Sequence, residues 1–191
     1  GLGNVGTHLV KYLVQEGAKV VVSDIDPDKI KAHVDQYNVT AVAPEQIAFT
    51  ECDIFAPCAL GAVVNDQSVS KLKCQVIAGG ANNVLAEQRH GDHLRELGIL
   101  YVPDYVINAG GLMNVFVELE GYSSDRSFEK TRKVYDNCMQ VFEIAKRDGI
   151  GTHLAADRLA EHRIETVGRL KQRHSGKSIR NFGTLKEVFN R

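Results

Sequence analysis

Gly1-Leu2-Gly3-Asn4-Val5-Gly6 is a complete G-x-G-x-x-G, and the residues after it decide how it is read. Val5, Leu9, Val10, Leu13 and Val14 recur at helical spacing, and Gly17 stops the run. Ala18-Lys19-Val20-Val21-Val22-Ser23-Asp24 then reads as a buried strand that ends in a carboxylate. In a βαβ unit of this kind the first glycine makes the tight turn and the second lets the backbone approach a pyrophosphate. The third lets helix and strand pack closely. The phosphates sit on the free N–H groups of the helix that follows. The hexapeptide, with Leu2, Asn4 and Val5 between its glycines, is therefore read as a dinucleotide-binding turn. Asp24 falls 18 residues after Gly6, where an acid accepts hydrogen bonds from the adenosine ribose hydroxyls. A carboxylate there repels a 2′-phosphate, so NAD is favoured over NADP. An exposed strand-end acid with no ligand is the plainer alternative for Asp24. Asp26-Pro27 is read differently, as an N-cap with proline at the first helical position.

The strand that precedes the first glycine in such a unit is missing from the sequence. A longer protein, or another means of filling that place, is expected. The rest alternates strand and helix. Val20–Asp24, Thr40–Ala43, Cys52–Ala56, Gln75–Ala78 and Ile99–Val102 are strand candidates. Pro27–Tyr37, Val84–Leu97 and the run from Gly110-Gly111 through Glu120 are helical candidates. The expected fold is α/β, a Rossmann-like, doubly wound, mostly parallel sheet with helices on both faces, followed by C-terminal helices. Phe128, Thr131, Tyr135, Cys138, Phe142 and Ala145 step by three and four as one long amphipathic helix. Ser124 or Asp125 can cap it, and Gly149 follows its end. Thr152 can cap another helix, and the tail beyond Lys171, with Lys177, Arg180, Lys186 and Arg191, reads as a solvated basic segment. The expected division is a dinucleotide-binding domain over residues 1–150 and a C-terminal helix and tail over 151–191, packing toward a catalytic domain outside the sequence.

A formal net charge of −1 in 191 residues offers no general attraction to nucleic acid or anionic membrane. No run approaches the roughly 20 apolar residues of a membrane span. Cys52, Cys58, Cys74 and Cys138 form no C-x-x-C, and free thiols in a reducing cytoplasm are expected.

Ligands bind open α/β sheets beyond the carboxyl ends of the strands. Three strand ends are followed by small, glycine-rich, amide-bearing segments: Pro57-Cys58-Ala59-Leu60-Gly61, Gly79-Gly80-Ala81-Asn82-Asn83, and Pro103 through Gly111. An Asn side chain offers donors and an acceptor suited to a ribose hydroxyl or a carboxamide. Asn82 and Asn108 are read as ligand contacts, and Asn83 as a turn former that tolerates the left-handed region. His90 and His93 bracket Asp92 like a metal pair, but a third ligand at matching spacing is lacking, and no metal is expected.

The runs Cys52-Asp53-Ile54-Phe55-Ala56-Pro57-Cys58-Ala59, Ala78-Gly79-Gly80-Ala81-Asn82-Asn83 and Pro103-Asp104-Tyr105-Val106-Ile107-Asn108-Ala109-Gly110-Gly111 resemble the glutamate/leucine/phenylalanine/valine dehydrogenase family. With Arg89-His90-Gly91-Asp92, Lys146-Arg147-Asp148-Gly149 and Ala155-Ala156-Asp157-Arg158-Leu159-Ala160, the similarity is greatest to its leucine dehydrogenase branch, and it runs to about Ile164. The resemblance implies oxidative deamination of an apolar L-amino acid: amino acid, NAD and water give 2-oxo acid, ammonia and NADH. It implies that Gly1–Gly6 hold the pyrophosphate, Asp24 the adenosine ribose, and that Cys58, Ala59 and Asn82 line the cofactor cleft. Asn108 would lie near nicotinamide and substrate, with Leu112 and Val115 against the substrate side chain. Simple helix packing is the alternative for Leu112 and Val115. The family's catalytic lysine and aspartate belong to a preceding domain, so no catalytic residue is expected in this chain. A cytoplasmic homo-oligomer is implied. Two rivals stay open: a non-catalytic nucleotide-binding or oligomerisation module, and a 2-hydroxy-acid dehydrogenase, for which no Arg/Glu/His constellation is seen.

Overall fold

The opening turn leads into helix α1, Asn4–Gln15, which presents Val10 to the interior and ends where Gly17 takes a positive φ of 83°. Only a residue without a Cβ enters that region freely. The computed structural model describes residues 1–119 and 121–174. After α1 come strand β1 (Val21–Val22), helix α2 (Pro27–Tyr37), and strands β2 (Thr40–Ala41), β3 (Ile54–Phe55) and β4 (Val76–Ile77). Helix α3 (Arg89–Glu96), strand β5 (Leu100–Tyr101) and helices α4 (Asp104–Ile107), α5 (Gly110–Leu119), α6 (Ser124–Asp148) and α7 (Thr152–His174) complete the order.

All strand pairs are parallel: β1 with β2, and β3 with β4 with β5. The ladders reach past the strands, as in Thr40 N–H to Val20 O at 3.1 Å and Ala78 N–H to Phe55 O at 3.0 Å. Parallel strands, with α2 between β1 and β2 and α3 between β4 and β5, give the expected Rossmann-like pattern; the link from β3 to β4 carries only a short helical turn at Val69–Lys71. Each sheet has its own core. Leu2, Val10, Val22 and Val39 cluster beside β1 and β2. Phe55, Val64, Ile77, Val84, Leu94 and Tyr101 belong to the larger cluster around β3–β5.

Several helix ends follow local chemistry. Asp26 caps α2 through Asp28 N–H and Lys29 N–H, with Pro27 in the first turn. The long helix α6 is capped by Ser123, whose hydroxyl accepts from Arg126 N–H, not by Ser124 or Asp125. Gly149, at φ 65°, closes it. Thr152 is the first residue of α7, but its hydroxyl donates to Tyr101 O at 2.5 Å instead of capping.

One expected helix is shorter. Val84 and Leu85 form an isolated parallel bridge with Val64, Ala86–Gln88 turn the chain, and helix starts only at Arg89. The chain divides into two compact units, Gly1–Ala156 and a second that begins at Asp157. Glu120 and the basic tail with Lys177, Arg180, Lys186 and Arg191 lie outside the described residues. Among the described residues no helix is long and apolar enough to cross a membrane.

Candidate cofactor site

The strand-end loops converge. A Cβ built on Gly1 would stand 2.7 Å from Ala59 Cβ and 2.8 Å from the Cys58 carbonyl oxygen, so the opening turn lies on the Cys58-Ala59 backbone. On Gly80 a Cβ would meet Val5 Cγ1 at 2.6 Å and Cys58 Sγ at 3.7 Å. On Gly61 it would meet the Asn82 carbonyl oxygen at 2.6 Å, and on Gly79 it would overlap the Pro57 carbonyl. Glycines at these contacts let three backbones touch where side chains would hold them apart.

The three glycines of the opening turn differ in surroundings. A Cβ on Gly6 would collide with the Gly1 carbonyl oxygen, whereas one on Gly3 would meet nothing within 4 Å. The third glycine thus serves packing, and the second borders open space at the start of α1. Gly3 is the N-cap of α1, offers no side-chain cap, and no acid occupies the first turn. The leading N–H groups of α1 and the positive end of its dipole are left for an anion. This arrangement fits the pyrophosphate of a dinucleotide.

Asp24 joins the turn. Its Oδ2 accepts from Leu2 N–H at 2.5 Å and its Oδ1 from Asp26 N–H at 2.9 Å. The Leu2 bond is the main reason the carboxyl titrates below the usual carboxylate range; partial burial opposes it. Asp24 therefore positions the turn as well as standing at a strand end. A carboxylate oxygen accepts more than one hydrogen bond, which leaves room for ribose hydroxyls. The sign of the linkage follows from the lowered value. The bond's contribution to stability is complete above about pH 4, the ordinary carboxyl value, and is lost as pH falls through the lower folded value. Melting curves of wild type and Asp24→Asn between pH 6 and pH 2 should converge at the acid end. A gap that stays constant would remove this role.

At the far side, Asn108 Nδ2 donates to Asn82 Oδ1 at 2.5 Å, which joins the loops after β4 and β5. Asn83 has φ 53°, as a turn former does. Leu112 and Val115 stand four and seven residues beyond Asn108 on α5, 75% and 51% exposed; α5 itself packs on α6. The structure gathers Gly1–Gly6, Asp24, Cys58, Ala59, Asn82 and Asn108 by direct contacts, and it leaves Leu112 and Val115 on open helix surface.

Two groups have partners that the sequence does not announce. Asp104 is buried; its Oδ2 accepts from Val84 N–H at 2.8 Å and its Oδ1 from Tyr105 N–H at 2.6 Å. An acid that follows a strand-closing proline was the available signal. His90 is 1% exposed, with Nδ1 accepting from Glu87 N–H at 3.1 Å and Nε2 at 3.0 Å from Asp66 Oδ1. Arg89, with help from His90, holds the Asp66 carboxyl at about 2. Both ring nitrogens of His90 serve the structure. Among the described residues no three His, Cys, Asp or Glu side chains gather as metal ligands.

Parallel strands, a glycine turn entering a helix, and amide-bearing segments after β4 and β5 define a Rossmann-like α/β class. Residues 1–167 match the model of the Glutamate/Leucine/Phenylalanine/Valine dehydrogenase family, a family of NAD(P)-dependent dehydrogenases, and the chain belongs to that family. It is 54% identical over 167 residues to a leucine dehydrogenase of Geobacillus stearothermophilus, covering 87% of this chain and 46% of that protein. It is 42% identical over 181 residues to a phenylalanine dehydrogenase of Bacillus thermotolerans, covering 92% and 47%. The crystal structure of L-tryptophan dehydrogenase from Nostoc punctiforme superposes with a TM-score of 0.86 at 46% identity, over 88% of this chain and 51% of that one. The chain thus spans about half the length of the curated relatives it matches.

Proposed function

We propose that the protein carrying this chain is an NAD-dependent amino-acid dehydrogenase, similar to leucine dehydrogenase, that oxidatively deaminates an apolar L-amino acid to its 2-oxo acid and ammonia. The observation that carries the reading is the meeting of the opening turn, Asp24 and the segments after β3, β4 and β5, in a chain 54% identical to a leucine dehydrogenase. Residues Gly1, Leu2, Gly3, Asn4, Val5 and Gly6 and the first turn of α1 hold the pyrophosphate. Asp24 takes the adenosine ribose, while Cys58, Ala59, Asn82 and Asn108 border the remainder of the dinucleotide. Asn108 also reaches the substrate, and Leu112 and Val115 wall its side chain. Bound NAD supplies the hydride acceptor for the substrate Cα. The chain's own contribution is orientation and electrostatic fit. The general base belongs to residues outside this sequence.

On this reading residues 1–150 form the dinucleotide-binding domain and 151–191 a helix and tail directed toward a catalytic domain. The whole protein is a cytoplasmic homo-oligomer. The test follows NADH formation by the full-length protein with leucine, valine or phenylalanine. Turnover of about 1 s⁻¹ or more is expected, with no turnover by residues 1–191 alone. Asp24→Ala should weaken NAD by about 1–3 kcal/mol through lost charge-assisted hydrogen bonds. NADP binding as tight as NAD would remove Asp24 from the ribose. Ammonia-independent oxidation of 2-hydroxy acids would overturn the whole reading.

A further inference from the structure

Asp104 opens α4, and a helix-opening acid ordinarily serves its own first turn. This one does more. One oxygen accepts the N–H of its neighbour Tyr105 at 2.6 Å, and the other accepts from Val84, 20 residues earlier, at 2.8 Å. Val84 directly follows the Gly79–Asn83 loop, and Asn108 is the C-cap of the helix that Asp104 begins. The two anchor points therefore flank the Asn82–Asn108 amide pair, one on each strand-end loop. Asp104 N–H donates to the Tyr101 hydroxyl at 3.2 Å, and Tyr101 is itself buried at the end of β5. Burial pushes the Tyr101 phenol upward, so it remains a hydroxyl at ordinary pH. Local helix capping accounts for the Tyr105 bond. It does not account for a buried carboxylate spent on a distant backbone N–H, which a water or a second loop contact could have served in its absence.

We infer that Asp104 is a positioning residue for the cofactor: it ties the loop after β4 to the loop after β5 and so sets the spacing of Asn82 and Asn108 for the dinucleotide. This rests on the cofactor reading above. Asp104→Asn keeps one carbonyl acceptor and turns an NH2 toward the other N–H, where two donors face each other. The tie fails while the fold's apolar contacts remain.

The experiment titrates NAD into the full-length protein as wild type, Asp104→Asn, Asn82→Ala and the double variant. Wild type that does not bind NAD would defeat the cofactor reading itself. Given binding, Asp104→Asn is expected to raise Kd about tenfold or more. In that background Asn82→Ala should change Kd by less than about twofold, because the amide is already misplaced. A merely structural Asp104 would give independent effects, so full additivity overturns the inference, as does an unchanged Kd. Tyr101→Phe is the gentler second variant. It removes only the hydroxyl that accepts Asp104 N–H; a rise in Kd of about threefold is expected, with the melting temperature lowered by a few degrees. If Asp104→Asn does not fold, unchanged NAD binding in Tyr101→Phe overturns the inference instead.

Discussion

Gly3→Ala is expected to lower the melting temperature by only a few degrees, the cost of alanine at a helix N-cap, and to abolish tight dinucleotide binding, while Gly6→Ala lowers both strongly. The two glycines lie three residues apart in the same turn, yet the structure separates their duties. A methyl on Gly3 meets no protein atom within 4 Å, and Gly3 has φ −74° and ψ −166°, open to any residue. The added carbon enters only the space at the start of α1, where a pyrophosphate would approach the backbone. A methyl on Gly6 meets the Gly1 carbonyl, and backbone cannot swing aside as a flexible side chain can. Alanine would otherwise favour this helical position by about 1 kcal/mol, so propensity and packing oppose each other. Overpacking of about 1–3 kcal/mol outweighs it in the closest contacts. The turn must open, and with it the Leu2–Asp24 bond. Each kcal/mol lost lowers Tm by about 2–4 °C in a chain of this size. Scanning calorimetry with and without NAD separates the cases. A Gly3→Ala protein that melts within a few degrees of wild type and binds NAD within about threefold of it would show that no phosphate passes that spot.

How far the sequence carries can be judged from particular places. Pro27–Tyr37 is legible to the residue, because Asp26, Pro27 and the left-handed Asn38 are local devices that act within one turn. Val84–Gln88 is not. Its apolar residues suit a helix, but Val84 gives its N–H to Asp104 and its carbonyl to Val64, partners about 20 residues away on either side. Local pattern carries no information about such partners. The site divides the same way. The strand-end rule puts Asn82 and Asn108 in separate loops; Asn82 lies in the loop after β4, whereas Asn108 caps the short helix α4 that occupies the segment after β5. That they bond each other depends on the register of β4 against β5, which only the folded sheet sets. Asp104 is not singled out by sequence, since it lies in a segment read as a loop after Pro103 and its distant partner is not local. Its second oxygen has the larger consequence, and nothing near it in sequence announces that. Leu112 and Val115 are the opposite case. Resemblance names them, whereas the described residues give them no partner that would reveal a pocket.

The substrate is the other place where a large effect is expected. Glutamate should be rejected by at least about 10³-fold in kcat/KM against leucine. The side chains expected to wall the substrate, Leu112 and Val115, lie on one face of α5, and its first turn bears no acid. A second carboxylate placed against Leu112 and Val115 loses water without a partner from those side chains, at a cost of several kcal/mol. Among the described residues, Lys130 Nζ lies 4.3 Å from the centroid of the Phe116 ring, one turn beyond Leu112. If this chain supplied the cation for a glutamate side chain, Lys130→Met would remove glutamate activity. On the apolar reading, Lys130→Met leaves leucine kcat/KM within about threefold. Leu112→Ala enlarges the pocket and should lower leucine against phenylalanine by about tenfold, since a few methylene contacts are worth about 1–3 kcal/mol. The measurement is kcat/KM of the full-length protein for leucine, valine, phenylalanine and glutamate, with each variant. A preference for glutamate that vanishes in Lys130→Met would move the protein to the glutamate branch of its family. An unchanged leucine-to-phenylalanine ratio in Leu112→Ala would return Leu112 to ordinary helix surface, because a residue that touches the substrate side chain cannot lose three carbons without changing which side chain fits best.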